Sequence, residues 1–416
     1  MAWWNPFSRA DGESRGERRD SSASASAEQF WEKLGLVTPS ASGVNVTMEA
    51  ALGVPAVSAA VNFIANEIAS LPLVVYRRRE GGREKVSGLL PTLLHDAPND
   101  FLTSFEWIKG LFTAKLTGGR GFSYIERGDS GAVVSIWPMD PAKVVVRRDG
   151  FALQYEYNDD GRRRIYAAGE IIDLPFMLKS DGVAHRGPIS LGRDAIGLAI
   201  AVTNYGSRFL ANGGVPPFAV TGGFQSGRAM QNAADDLARA VTKAAKENRQ
   251  SLVLPDGLKI EAIGVDPEKA QMVETQRFCV EQIARLYSIP PTFLQDLTNG
   301  TYSNTEQQDL HFVKHTLLHH ARQLEQELNL KLFGRRSRSQ YVELNMDGLL
   351  RGDFKTRMEG WAKAIQSAIA TPAEAREAEN WPMMPGSDRL FVQGAMVPLD
   401  QAGGATAGAA LQGSTE

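Results

Sequence analysis

IARLYSIPPTFLQDLTNGTYSNTEQQ, residues Ile283 to Gln308, carries a helix stop, a loop and a helix start in one run. Upstream, Asp266-Pro267 opens a helix: Asp caps free N–H groups, and Pro at the first helical position lacks only a donor that would have no partner there. Met272, Cys279, Ile283 and Leu286 then recur on one face at helical spacing. Pro290 and Pro291 are expected to end that helix, because the ring removes a donor and restricts the residue before it. Asn299-Gly300 signals a turn, since both residues tolerate positive φ. Ser303 and Glu306 form an S-x-x-E capping box for the next helix. The local physics therefore predicts two packed helices joined by an exposed polar loop.

Working outward, the 416-residue chain is long enough for a sizeable core, and its 43% hydrophobic and 22% charged residues are ordinary for a soluble globular protein. Its one cysteine, Cys279, excludes an internal disulfide framework and a thiolate zinc site, and its place on an apolar helix face predicts a buried, inert thiol. No apolar run reaches the length of a membrane span, and Met1–Phe7 is too short and lacks the basic flank of a signal peptide. The expected workplace is the cytoplasm of the producing cell. With 45 basic and 48 acidic residues, the net charge of −3 speaks against a protein built to grip duplex DNA.

Residues 8–29 are polar and charged, and 401–416 form a Gly/Ala/Ser tail; neither has a core-forming pattern. A helix is expected from Met48 to Ser70, a strand at Leu73–Tyr76, a charged turn at Arg77–Gly82 and a helix from Thr103 or Ser104 to Leu116. Between 120 and 175 the period shortens to that of strands, with hairpin turns at Gly128-Asp129, Asp149-Gly150 and Asp160-Gly161. A long helix from Ser190 to Asn212 ends at Gly213-Gly214. A small α+β unit follows: strand Phe218–Thr221, helix Ser226 to about Glu247, then strands Ser251–Leu254 and Lys259–Ile263 joined through Pro255-Asp-Gly257.

Several stretches together resemble the portal (head–tail connector) family of tailed phages, in its siphophage branch. They are Ile64-Ala-Asn-Glu-Ile-Ala-Ser-Leu-Pro-Leu-Val-Val-Tyr76, Leu90–Asn99, Trp137–Val144, the Ile289-Pro-Pro stop, Thr301-Tyr-Ser-Asn304 with Glu306-Gln307, and Ala370–Arg376. Asp173 stands where that family commonly has His, and Ala373-Glu374 where Asn-Glu is usual. The resemblance covers about residues 46 to 390 and implies an α+β portal fold. Its expected parts are a flexible N-terminal arm (1–45), a mixed α/β wing (46–189), helical stem segments (190–213 and 265–288) and a small α+β clip (214–264) between them. After these come a tunnel loop (289–303), a long helix with a returning wing strand (304–352), a helical crown (353–400) and a flexible tail (401–416).

The resemblance also implies a job: a ring, dodecameric in the particle, at one capsid vertex of a phage, prophage or gene transfer agent. Double-stranded DNA would pass through it without sequence preference during packaging and ejection. Implied partners are the terminase large subunit, a head-completion or adaptor protein and the major capsid protein; no membrane and no cofactor is expected. The implied channel-lining residues are Gln295, Thr298, Asn299, Gly300, Thr301, Tyr302 and Ser303. A near-neutral composition suits a conduit, which needs weak contact with its cargo.

Arg239, Lys243, Lys246 and Arg249 line one side of the clip helix, either as a solvated face balanced by Asp235 and Asp236 or as a docking surface for an acidic partner. His311, His315 and His319 stack at i, i+4 and i+8, the basis of a rival reading as a metal-dependent hydrolase. H-E-x-x-H is absent, so Glu306 or Glu325 would have to supply a carboxylate. Gly118-Gly-Arg-Gly121 lies after a helix and before a strand, the reverse of a dinucleotide-binding turn, and no P-loop or nucleophile elbow occurs. No catalytic residues are expected.

Overall fold

The computed structural model describes residues 40–80, 82–159, 161–211, 218–221, 226–246, 259–262, 272–294, 308–335, 339–346, 354–379 and 381–391. The chain divides into two compact units, Met1–Asn345 and Met346–Glu416.

The first unit opens with α1 (Met48–Leu52), capped by the Thr47 hydroxyl, and α2 (Pro55–Ala69). One helix from 48 to 70 was expected. Pro55 divides it, because the ring holds Val54 extended at ψ 117°. Val57, Val61, Ile64 and Ile68 form the fully buried stripe of α2. Next come β1 (Leu73–Arg79) and β2 (Gly82–Lys85), paired antiparallel. The charged segment after Tyr76 is therefore not a turn. Arg77, Arg78 and Arg79 continue the strand, since one sheet face there is open to solvent and accepts arginine. α3 (Leu89–His95) precedes α4 (Ser104–Thr117), whose capping box joins Thr103 and Glu106.

The strand region forms two small sheets. β3 (Arg120–Arg127) and β4 (Val133–Met139) pair with β8 (Ile171–Pro175) in the order β4-β3-β8. β5 (Val144–Asp149), β6 (Ala152–Asp159) and β7 (Arg162–Ala167) form a meander. Phe122, Met139, Tyr155, Tyr157, Tyr166 and Ile171 make one buried cluster from the two sheets. Gly121 marks the join between β3 and α4: a Cβ there would stand 2.3 Å from the Leu111 carbonyl oxygen. A two-residue pair, β9 (Met177–Leu178) with β10 (His185–Arg186), leads out of this region.

The helix expected from Ser190 to Asn212 is broken at Gly192 into α5 (Pro188–Leu191) and α6 (Arg193–Ala211). A Cβ on Gly192 would meet Leu286 at 2.3 Å. β11 (Phe218–Thr221), α7 (Gly227–Lys246) and β12 (Lys259–Ala262) form the small α+β part, with β11 antiparallel to β12. The expected strand Ser251–Leu254 lies outside the described residues. α8 (Met272–Leu286) packs along α6 and buries Cys279 and Ile283 as the periodicity requires. The long helix follows, with a π-helical turn at Val313–Leu317 that runs into α9 (Leu318–Phe333). β13 (Gln340–Leu344) returns antiparallel to β1, Tyr341 opposite Tyr76, completing the sheet β13-β1-β2.

In the second unit, α10 (Phe354–Gln366) and α11 (Pro372–Ala378) are joined by the Arg357–Glu379 ion pair at 2.7 Å. Thr371 and Glu374 form the capping box of α11. Among the described residues no helix is long and apolar enough to cross a membrane.

Candidate functional site

The first end of the expected channel loop is held firmly, and it is tied to Gln308 beyond the loop. α8 stops before its prolines act: Ile289 N–H reaches the Ala284 carbonyl at 3.0 Å, Ser288 N–H reaches Arg285 at 3.1 Å, and Ser288 sits at φ 55°. This is the left-handed cap usually made by glycine, so Pro290 and Pro291 only confirm a stop made two residues earlier. The Ser288 carbonyl accepts from the Thr316 hydroxyl at 2.5 Å, tying the cap to the π turn. Thr292 donates to Gln308 Oε1 at 2.6 Å, bridging the chain on either side of the loop. Phe293 stacks on Phe63 at 5.0 Å and meets Phe312 edge-on at 5.3 Å, while Phe63 and Phe312 are 5.0 Å apart. This three-ring contact fixes the loop base to α2. Gln295, Thr298, Asn299, Gly300, Thr301, Tyr302 and Ser303, with the Ser303/Glu306 capping box, lie outside the described residues.

Among the described residues the histidine face assembles no metal centre. His311 and His315 stack at 4.4 Å, and His311, His315 and His319 are exposed. Among the described residues no group of three or more His, Cys, Asp or Glu is placed to hold a metal. Glu325, one of the carboxylates such a site would need, accepts the Leu344 N–H at 2.8 Å. On the clip helix, Arg239 is exposed and pairs with Asp236 at 3.2 Å, and Lys243 is exposed. The side chain of Lys246 and all of Arg249 fall outside the described residues.

Behind the loop base, α9 is bound to the sheets by buried charge that the sequence did not disclose. Arg120 grips Asp173 with a two-pronged contact (2.7 and 2.5 Å), and Tyr155 donates to the same carboxylate at 2.6 Å. Burial first, and the Asp173 charge second, raise the Tyr155 phenol above its ordinary range. The Asp173 N–H donates to Glu327 of α9 at 2.9 Å, and Lys331 stands 3.4 Å from that carboxylate. A second group centres on Lys115, only 1% exposed. Its Nζ donates to Gln323 Oε1 at 2.7 Å and lies 2.9 Å from His320 Nδ1, while Gln323 passes a hydrogen bond to the Pro175 carbonyl at 2.7 Å. Burial pushes the Lys115 ammonium down to about 7. His320 falls to about 3, chiefly by burial and then by the Lys115 and His319 charges. The imidazole is thus neutral at pH 7, and its Nδ1 is an acceptor for Lys115 in its charged form. The only sequence signal was a lysine at an interior position of an apolar helix stripe.

A sequence model described as "Phage portal protein" matches residues 55–380. The chain belongs to the phage portal protein family. It is 30% identical over 362 residues to the "Probable portal protein" of Streptomyces phage phiC31, covering 83% of this chain and 78% of that one. It is 27% identical to the "Portal protein" of Enterobacteria phage HK97, covering 86% of each. The fold matches that of an HK97 family phage portal protein from Corynebacterium diphtheriae with TM-score 0.55, at 16% identity over 72% of this chain and 95% of that one. It also matches a chain from the neck of a native GTA particle, computed with C12 symmetry, with TM-score 0.54, at 18% identity over 80% of this chain and 91% of that one. The mixed helix-and-sheet portal fold expected from the motifs is the fold found. The buried Arg120–Asp173–Glu327 chain and the capped, ring-clamped base at Ser288–Leu294 are therefore features of a portal subunit.

Proposed function

We propose that this chain is the repeating subunit of a closed portal ring in a virion or gene transfer agent particle, through which double-stranded DNA is packaged and later ejected. Residues 46–189 with β13 serve as wing, 190–213 and 265–288 as stem, 214–264 as clip, 289–303 as tunnel loop and 353–400 as crown. The ring is dodecameric in the particle, a count supported by the C12 symmetry of the related neck. It offers docking surfaces to the terminase large subunit, an adaptor protein and the major capsid protein, with Arg239, Lys243, Lys246 and Arg249 of the clip as one of them. The chain performs no catalysis of its own; packaging energy comes from a separate motor.

The observation that carries the channel reading is the contrast between a clamped base and an uncharged crest. Ser288, Thr292 and Phe293 fix where the loop leaves the body, and from Leu297 to Asn304 the loop has no charged residue. A polar, uncharged collar follows the DNA surface without the salt-dependent grip of phosphate-binding cations. Replacing Thr298 and Thr301 by Lys is expected to leave ring formation intact and to slow or block packaging, because the ring multiplies each added charge. Counting DNA-filled against empty heads checks this. Equal filling at normal assembly yield would mean that the loop does not meet DNA.

A further inference from the structure

Strand register sorts the β13-β1-β2 sheet into two unlike faces. Leu73, Val75, Val342 and Leu344, at 1%, 1%, 1% and 3% exposure, fill the inner one. With Tyr76 opposite both Tyr341 and Lys85, and Arg78 opposite Arg83, the outer face carries Tyr76, Arg78, Arg83, Lys85, Tyr341 and Glu343. There the arginines lie on the tyrosines: Arg83 stands 4.5 Å over the Tyr76 ring and Arg78 stands 5.1 Å over Tyr341. Tyr76 is only 7% exposed beneath them, whereas Arg78, Arg83 and Lys85 are exposed. The outer face thus sets three basic side chains, Arg78, Arg83 and Lys85, against one acidic, Glu343, in a chain with 45 basic and 48 acidic residues.

We propose that this outer face is a second DNA contact, gripping the phosphate backbone of duplex DNA through guanidinium groups stacked on tyrosine. It involves none of residues 295–303 and does not depend on the channel reading. Stacking on an aromatic ring holds the planar guanidinium in place and leaves its N–H edge for a phosphate oxygen, a fit that lysine lacks. The face presents guanidinium donors and charge with its apolar side chains turned to the core, and a phosphodiester backbone asks only for donors and charge. Arg83 already holds Glu343 with contacts of 2.7 and 2.9 Å, which partly neutralises the face. The grip is therefore weak and exchangeable.

The test is fluorescence anisotropy of the full-length protein with a labelled duplex of arbitrary sequence, titrated across about 50–200 mM salt. The Arg78→Gln/Arg83→Gln variant is expected to bind about tenfold more weakly, with the slope of log affinity against log salt reduced by about 2. Arg78→Gln alone breaks no ion pair, and is expected to reduce that slope by about 1 with an unchanged melting temperature. Arg78→Lys/Arg83→Lys is expected to keep the slope and lose part of the affinity. An unchanged slope in both Gln variants overturns the proposal, as does an absence of binding by the wild type. Displacement of the duplex by poly-glutamate at equal charge concentration overturns it too, in favour of an acidic protein partner.

Discussion

At the residue scale the unusual feature is charge placed where water cannot reach it. Lys115 and His320 are both depressed by burial, to about 7 and about 3, and the consequence for stability has one sign. Between about 7 and 10.5 the unfolded chain keeps a proton on Lys115 that the folded chain has lost, so stability rises with pH across that window. Between 6.5 and about 3 the unfolded chain protonates His320 while the folded chain does not, so stability falls as pH falls there. Each limb amounts to a few kcal/mol at most, since one pKa unit is worth about 1.4 kcal/mol. Lys115→Met is expected to flatten the alkaline limb and to shorten the acid one only in part, since burial is the larger cause of the His320 depression and the Lys115 charge the smaller. His320→Asn, which keeps an acceptor for Lys115, is expected to flatten the acid limb and leave the alkaline one. Urea midpoints of wild type and both variants from acid to alkaline pH check this; parallel profiles would mean that the buried pair does not titrate as the packing implies. Little of this was legible beforehand. Cys279 was readable as buried because it lies on its own helix stripe, but the partners of Lys115 come from 205 and 208 residues away. Asp173 illustrates the same limit: in the sequence it was only a departure from the family's usual His, yet it is the carboxylate that balances buried Arg120.

At the element scale, patterns within one turn of chain were readable and contacts between elements were not. The capping boxes at Thr103/Glu106 and Thr371/Glu374 are complete in the sequence, since cap and acceptor are three residues apart. The breaks at Pro55 and Gly192 were missed because periodicity continues across them, and a periodic pattern alone does not register a changed helix axis. The arginines after Tyr76 were read as a turn because charge suggests a loop, although an edge hairpin with one solvated face accepts it. Gly121 is the sharpest case of a contact hidden from sequence. It was read as part of a Gly-rich stretch between helix and strand, yet it is where β3 presses on the backbone of α4. Gly121→Ala forces a Cβ to 2.3 Å from a carbonyl oxygen that cannot swing aside. The expected cost is about 2–4 kcal/mol, in the range of strained or overpacked core sites. Thermal denaturation of the variant measures it; a melting temperature within a degree or so of wild type would show that α4 and β3 can separate at little cost.

At the scale of the whole molecule, the order of helices and strands was readable because each segment has its own period and punctuation, whereas the division into wing, stem, clip and loop came from the resemblance alone. Assembly is another matter, since a single chain shows only the surface it would bring to a ring. The helix pair α6 and α8 leaves apolar side chains outside: Tyr205 and Leu210 on α6 are 43% and 74% exposed, and Val273 and Phe278 on α8 are 63% and 50% exposed. Two neighbouring helices that both present large apolar groups to solvent mark a surface meant for a partner. In a ring of identical subunits that partner is a different patch of the next copy, because only a head-to-tail contact can repeat around a closed circle. Val273→Asp with Phe278→Asp places charge in such a contact without touching the buried side of α8, where Cys279 and Ile283 lie. The expected outcome is an unchanged helical circular dichroism spectrum with loss of closed rings, seen as a shift from ring to subunit mass by mass photometry and as the absence of rings in negative stain. Rings of normal mass from the doubly substituted protein would place the subunit contact elsewhere than on this helix face. A wild type that stays monomeric at high concentration and forms no ring in any particle would remove the ring itself.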